Sequence, residues 1–332
     1  MRISEIFDAP LNSYCDVNGV IQSKSLRSYG ANSTQYLTIL LGDSDAVIEF
    51  PVWKKVEERN EKLKQGDLIR VIGAVGEYQG KRQINPEGFE VLDPMKEDMS
   101  LYIAKYDIPE SMWECFGRIV AALDQPYQRF VRAAIGYQDG GEVYQSAEER
   151  ERWKDFTTCV AASKHHQNKQ GGLFVHTFGV LTMIDCIIQN YCYCDSALIG
   201  CTDASSVINP SRLRAKAILH DICKTKEYEF KTGIYRKNVL MDHRFTFISF
   251  SDDINDSLGA DGLDAEQLRD LQQSVLSHHG IWGVPRPKTL EDTLLHFSDA
   301  IDAKIAGCAQ ANDATAGIDF SIISILGAME RI

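Results

Sequence analysis

Residues 215–224 read AKAILHDICK. An apolar helical run closes on an adjacent histidine and aspartate, His220 and Asp221. Ionisable groups on an apolar helix face are costly to bury unless they are paired or bound to a metal. All eight histidines of the chain lie between residues 165 and 296. Working outward from His220, the periodicity predicts an amphipathic helix over 172–189 that carries His176. Another, over 242–254, has His243 near its start. A third, over 264–276, has Asp264 as N-cap and leads into His278 and His279. The last runs from Leu290, capped by Thr289, to about Gln310, and holds His296, Asp299 and Asp302. A single histidine would read as a core or surface residue. Six at helix-facing positions, around an adjacent His-Asp, are harder to read that way. Imidazole and carboxylate donors together suit Mn²⁺, Fe²⁺, Zn²⁺, Ni²⁺ or Co²⁺. A bridging carboxylate can hold two such ions about 3.5–4 Å apart, the spacing used for in-line phosphoryl displacement. Lys224, four residues after His220, is placed on the same side of the helix.

The chain has 332 residues, with 44% hydrophobic and 25% charged side chains, enough apolar material for two globular domains. Its formal net charge of -12 excludes a protein that coats nucleic acid by bulk electrostatics, so any such contact must be a local patch. The N-terminus MRISEIFDAP has no apolar signal core, and no run of about 18 uninterrupted apolar residues occurs. The expectation is no membrane partner and a cytoplasmic protein whose nine cysteines are reduced.

Ahead of the helices, residues 12–93 read as β. Strands are expected at Val17–Ser23, Gln35–Leu41, Ala46–Val52, Asp67–Glu77 and Lys81–Val91, with one polar helix between Trp53 and Lys64. Five strands with a helix after the third is the plan of an OB-type barrel; another small barrel fits the strand pattern as well. The fold class is therefore α+β: a five-stranded OB-type barrel at residues 1–93, a linker at 94–108, and an all-α helical bundle at 109–332. Tyr29, Tyr36, Trp53 and Tyr78 are candidates to stack bases, with Lys24, Arg27, Lys81 and Arg82 for phosphates. Core or rim packing is the competing role for each.

The order His176, His220-Asp221, Asp299 resembles the H…HD…D signature of the HD-domain metal-dependent phosphohydrolases. His243 with His278-His279 resembles the subset of that superfamily that holds two metals. Taken with GGLFVHTFGVL, LSHHGIWGVPRPKTLEDTLLHFSDAIDAK and a barrel ending EYQGKRQI, the chain resembles the YhaM family of 3'-5' exoribonucleases over nearly its whole length. That resemblance implies one metal at His176, His220, Asp221 and Asp299. Asp221 would bridge to a second metal at His243, His278 and His279. It implies Mn²⁺ first among the candidate ions, Lys224 directed at substrate phosphate, and release of nucleoside 5'-monophosphates from single-stranded RNA, with DNA also open. Hydrolysis of cyclic dinucleotides or small nucleotides, or a non-enzymatic nucleic-acid-binding role, are the rival readings. A homo-oligomer is left open.

The chain departs from the family pattern at Cys223 and Asp242, each where glycine is usual, and in a Cys-rich insertion at 191–209. Cys186, Cys192, Cys194 and Cys201 lack the paired spacing of a zinc knot, which favours free thiols. Lys164, His165 and His166 precede the Gly171-Gly172 turn. His166 is a candidate for substrate phosphate, and an exposed polar loop is the equal alternative. His296 reads as a ligand-orienting or a core residue, and Asp302 as facing the same pocket or capping a neighbouring helix.

Overall fold

The computed structural model describes residues 1–30, 34–139, 146–162, 167–193, 203–231, 234–238, 240–280 and 285–311. They form two compact units. One comprises Met1–Lys105 with Glu229–Arg236, the other Tyr106–Tyr228 with Lys237–Ile332.

In the first unit the strands are β1 (Tyr14–Tyr29), β2 (Thr34–Gly42), β3 (Val47–Val52), β4 (Leu68–Tyr78) and β5 (Lys81–Val91), ordered β3-β2-β1-β4-β5 and antiparallel throughout. Packing of β3 against β5 curls the sheet into a barrel. β1 is long because it serves two partners. Its first half pairs with β4 and its second with β2, and the register shifts by one residue between Ile21 and Ser23, where the pairing passes over. Such a bulge bends a strand and strengthens its twist. Alternation puts Ile48, Phe50 and Val52 of β3 inside and leaves Val47 and Glu49 outside. Helix α2 (Val56–Lys62) lies between β3 and β4, as its polar sequence implied.

A short helix that the sequence pattern did not reveal, α1 (Ile3–Asp8), closes the barrel core with Ile3 and Ile6, both fully buried. Six residues are too few to display a helical period. The segment expected as a linker contains two 3₁₀ turns, Pro94–Lys96 and Met99–Leu101, and Tyr102 is buried with Val20 and Leu68.

The second unit contains α3 (Glu110–Ala121), α4 (Tyr127–Ile135), α5 (Ala147–Thr158), α6 (Gly172–Tyr191), α7 (Pro210–Leu219), α8 (Lys224–Glu227), α9 (His243–Leu258), α10 (Ala265–Ser277) and α11 (Leu290–Ala311). The chain after α8 forms a hairpin, β6 (Tyr228–Lys231) with β7 (Ile234–Lys237), whose residues Glu229–Arg236 are counted with the first unit. α6 is the one helix among the described residues long and apolar enough to cross a membrane by composition. Here it is a core helix, with Leu173, Phe174, Val180, Leu181, Ile184 and Ile188 all buried. Phe174 stacks on Trp113 at 4.0 Å between ring centroids and meets Phe116 edge-on at 5.2 Å, which fixes α6 against α3.

α7 is held from its other side by charge. Lys216 is fully buried and meets Asp270 at 2.8 Å, Glu291 at 2.9 Å and Asp292 at 3.4 Å. Arg212 adds a contact to Glu291 at 2.7 Å. One cluster thereby ties α7 to α10 and α11, the helices that carry or adjoin every candidate ligand except His176 and His243.

Candidate metal centre

The helix expected to run through Lys224 stops at Leu219. From there the chain tightens into three-residue bonds, with Ile222 N donating to Leu219 O at 3.2 Å and Lys224 N to Asp221 O at 2.9 Å. The relation that matters is therefore not Lys224 to His220 along one helix face. Lys224 stands one tight turn from Asp221, and its Nζ is 2.5 Å from Asp221 Oδ2. Cys223, where a glycine was the family expectation, has φ -75 and ψ 1, a conformation open to any residue. Asp242 caps α9, its side chain accepting from Arg244 N at 3.0 Å, and so fixes the helix whose first residue is His243. The Arg244 guanidinium holds the Asp242 carboxyl below the usual carboxylate range.

Two groups of ligand atoms converge, each with all its atoms within 4.8 Å of one another: Asp221, His243, His278 and His279, and His176, His220 and Asp299. Asp221 is 1% exposed and faces both. Its Oδ2 is 3.4 Å from His176 Nε2 and 3.3 Å from His220 Nε2. Its Oδ1 is 3.2 Å from His243 Nε2 and 3.5 Å from His278 Nε2. Asp299 Oδ1 lies 3.1 Å from His176 Nε2.

The imidazoles are oriented by what their other nitrogen does. His220 Nδ1 donates to Ala217 O at 2.7 Å and His278 Nδ1 to Val275 O at 2.6 Å. His176 Nδ1 donates to Asp302 Oδ2 at 2.7 Å. Carbonyls and carboxylates only accept, so each Nδ1 carries a hydrogen, and in the neutral ring each Nε2 keeps its lone pair. The lone pairs of His176 and His220 then face each other at 3.2 Å. In the other group, Asp221 Oδ1, His243 Nε2 and His278 Nε2 are buried and make no hydrogen bond. Buried acceptors that converge without donors are what a cation satisfies. All the donors are nitrogen or oxygen. The residues present fit divalent metal binding.

Despite burial, and with no cation bound, the carboxylates draw His176 and His243 toward the protonated form, supplying the positive charge that a metal ion would otherwise bring. Burial works against a charged His176, yet Asp221, Asp299 and Asp302 hold its pKa well above the ordinary histidine value. Burial opposes charge on His243 too, and Asp221 raises it nonetheless. Burial beside His278 pushes His279 down to about 2, leaving a neutral ring suited to ligation. Burial would raise the Asp221 carboxyl, but Lys224 and His220 keep it well below the usual range.

Asp302 faces the pocket, one of its two expected roles. It reaches His176 because Gly179 stands one turn further along α6, where a Cβ would sit 2.0 Å from Asp302 Oδ1. His296 orients rather than ligates: its Nδ1 donates to His278 O at 2.8 Å. It packs on Gly280, at φ +61, where a Cβ would fall 2.2 Å from the ring. Sequence reasoning missed Glu227, 2% exposed, whose Oε2 accepts from His243 Nδ1 at 2.6 Å. Nothing in the spacing of KTKEYEF singles it out. His165, His166, Cys194 and Cys201 lie outside the described residues. Among the described residues neither metal-binding group contains a cysteine.

In the barrel, Tyr36 stacks on Trp53 at 4.4 Å with planes 20° apart, and Tyr29 meets Trp53 edge-on at 5.9 Å. Trp53 is 49% exposed. Tyr78 and Lys81 are exposed at the β4–β5 turn, beyond the end of β1 opposite to Tyr29, so the structure separates them from the other aromatics. Arg82 is engaged with Glu77 at 3.3 Å, and Lys24 is held by Asn60 Oδ1 at 2.8 Å.

Comparison with known proteins assigns residues 16–92 to an OB-fold nucleic acid binding domain and residues 173–304 to an HD domain. The chain is an OB-fold and HD-domain protein. Its HD domain spans all seven candidate ligands: His176, His220, Asp221, His243, His278, His279 and Asp299. A protein of Oceanobacillus iheyensis described as 3'-5' exoribonuclease YhaM is 27% identical over 290 residues, covering 85% of this chain and 82% of that one. Proteins of the same description are 24% identical in Bacillus pumilus (87% and 85% covered) and in Bacillus subtilis (85% and 82% covered). The resemblance to the YhaM exoribonucleases thus extends through barrel and helices.

Proposed function

We propose that the chain is a metal-dependent 3'-5' exonuclease that acts on single-stranded RNA, with DNA as a second substrate, and releases nucleoside 5'-monophosphates. The observation that carries the reading is Asp221, whose two oxygens face two different groups of imidazoles. In this reading His176, His220, Asp221 and Asp299 hold one divalent ion, and Asp221, His243, His278 and His279 hold the other. Manganese is the first candidate by the family resemblance, and the imidazole and carboxylate donors suit Fe²⁺, Co²⁺, Ni²⁺ or Zn²⁺ as well. A bound pair of divalent ions makes water a nucleophile at neutral pH and offsets charge on the attacked phosphate.

The chain's own residues do the rest. Asp302 holds His176 by Nδ1, so that Nε2 is turned toward Asp221 and Asp299. Lys224 supplies a fixed positive charge beside Asp221, where phosphate charge grows toward the transition state. The Tyr36–Trp53 stack offers a sequence-tolerant platform for bases. The OB-fold assignment and the exoribonuclease relatives support single-stranded nucleic acid as the barrel's partner.

The test is a product assay with Mn²⁺ on 5'-labelled and 3'-labelled single-stranded RNA, beside matched DNA and a cyclic dinucleotide. The 3' label should appear at once in mononucleotide, while the 5' label shortens stepwise. Turnover of the cyclic dinucleotide alone would replace this reading with its small-molecule rival.

A further inference from the structure

Glu227 ends α8, immediately before the β6–β7 hairpin, and is 2% exposed. It is bonded on three sides. Oε2 accepts from His243 Nδ1 at 2.6 Å, Oε1 meets Lys237 Nζ at the far end of β7, and the backbone carbonyl accepts from Asn238 N at 2.8 Å. The two ends of the hairpin are therefore clasped at one carboxylate, and that carboxylate faces a candidate ligand. Paired with an ammonium, it is ionised and can only accept. His243 must then carry its hydrogen on Nδ1. Its Nε2 is left with a lone pair directed at Asp221 Oδ1, 3.2 Å away, with no hydrogen bond between them.

We infer that Glu227 is the positioning residue for His243: it holds the ring in the tautomer and orientation that leave Nε2 open toward Asp221, and Lys237 holds Glu227. His176 receives the same service from Asp302, which is 13% exposed. The two supports differ in what stands behind them. Lys237 is 50% exposed, so the second support is anchored by a residue at the rim of the hairpin. Changes in the hairpin stem should act on the His243 group and spare the His176 group.

The inference rests on the two-ion reading only where metal uptake is measured, so its test has two arms on the full-length chain. In the first, long-range ¹H–¹⁵N correlation on metal-free protein reports which nitrogen of His243 is protonated. At a pH high enough for the ring to be neutral, the wild type should show Nδ1–H, and Glu227→Ala should shift the ring toward Nε2–H. Glu227→Gln retains an accepting oxygen and should keep much of the wild-type tautomer. In the second arm, Mn²⁺ titration should show one of two equivalents lose about 10–100-fold in affinity in Glu227→Ala. Lys237→Met should lose less, and the other equivalent should be unchanged in both. Retention of Nδ1–H together with wild-type uptake in Glu227→Ala overturns the inference. Should that variant not fold, Mn²⁺ uptake by Lys237→Met indistinguishable from the wild type's overturns it equally. A wild type that takes up one equivalent refutes the two-ion reading, and the tautomer arm still decides Glu227.

Discussion

Replacing Lys224 with Met removes one charge and keeps most of the aliphatic stem. The ammonium is 2.5 Å from Asp221 Oδ2, with side-chain exposures of 12% and 1%. Two consequences of different size follow. In metal-free protein the change leaves a buried carboxylate short of its nearest cation. Removing one partner of a buried pair costs about 3–5 kcal/mol, and the imidazoles around Asp221 place this case at the lower end. At 2–4 °C per kcal/mol for a unit of this size, Tm should fall by about 6–12 °C. With Mn²⁺ present, divalent charge beside Asp221 should recover most of that loss. Turnover should not recover. A fixed charge acting on the transition state is worth about 2–4 kcal/mol, or roughly 10²–10³ in rate. Lys224→Arg should restore only part, because the guanidinium fork cannot occupy the same point. The assays are calorimetry of both forms, metal analysis, and single-turnover hydrolysis of RNA. Near-normal turnover in Lys224→Met, with two metals retained, would refute a catalytic role. An unchanged metal-free Tm would refute the electrostatic argument beneath it.

Asp221→Ala should lose both metals and all activity, while His243→Ala should lose mainly one; retention of two ions by Asp221→Ala, measured by elemental analysis, removes the bridging assignment. Trp53→Ala should weaken binding of single-stranded RNA by about 1–3 kcal/mol in a fluorescence titration and leave hydrolysis of a small chromogenic phosphodiester unchanged; equal loss on both would place Trp53 in folding rather than recognition. Burial would raise the carboxyls of Glu291 and Asp292, but Arg212 holds Glu291, and Ser274 with Lys216 holds Asp292, below the usual range. Their contribution to stability is therefore complete above the ordinary unfolded carboxylate values of about 4 and is lost as pH falls through the lower folded ones. Glu291→Gln should flatten the acid limb of Tm against pH, and an acid limb as steep as the wild type's would disprove that assignment.

The fold was legible where it is periodic. The strands of the barrel alternate between a buried and an exposed face, and turn residues punctuate them, so their positions could be read to within a few residues. β1 was underestimated because its second half, Lys24 to Tyr29, lies outside the core with no buried face and signals nothing by alternation. The seven clustered candidate ligands were legible because six histidines at helix-facing positions surround an adjacent His-Asp, and because their order resembles a known signature. What the sequence hid is what depends on three-dimensional approach. Glu227 is one carboxylate among many until the hairpin folds back and sets Lys237 on it. Asp302 gains its role through a small residue, Gly179, on another helix. Lys224 was assigned to the right neighbourhood by helical spacing, although the helix had already ended.

That early ending has a consequence for the chemistry. The last carbonyls of a helix have no amide partner within it and must find another donor. His220 and His278 both stand at the C-cap of their helices, and each gives its Nδ1–H to the carbonyl three residues back, in Ala217 and Val275. One bond satisfies the helix end and fixes the tautomer, and it turns Nε2 toward Asp221. The same device operates twice, once on each oxygen of that carboxylate. His176 and His243 lie inside a helix and at the start of one, where no free carbonyl stands three residues behind. Both need a carboxylate from elsewhere, and Asp302 and Glu227 supply it. The position of a ligand along its helix therefore decides whether its orientation is set by the backbone or by a second side chain. On this reading, substitutions at Asp302, Glu227 and Lys237 should disturb the site without touching a ligand, whereas the ring of His220 is held by main chain.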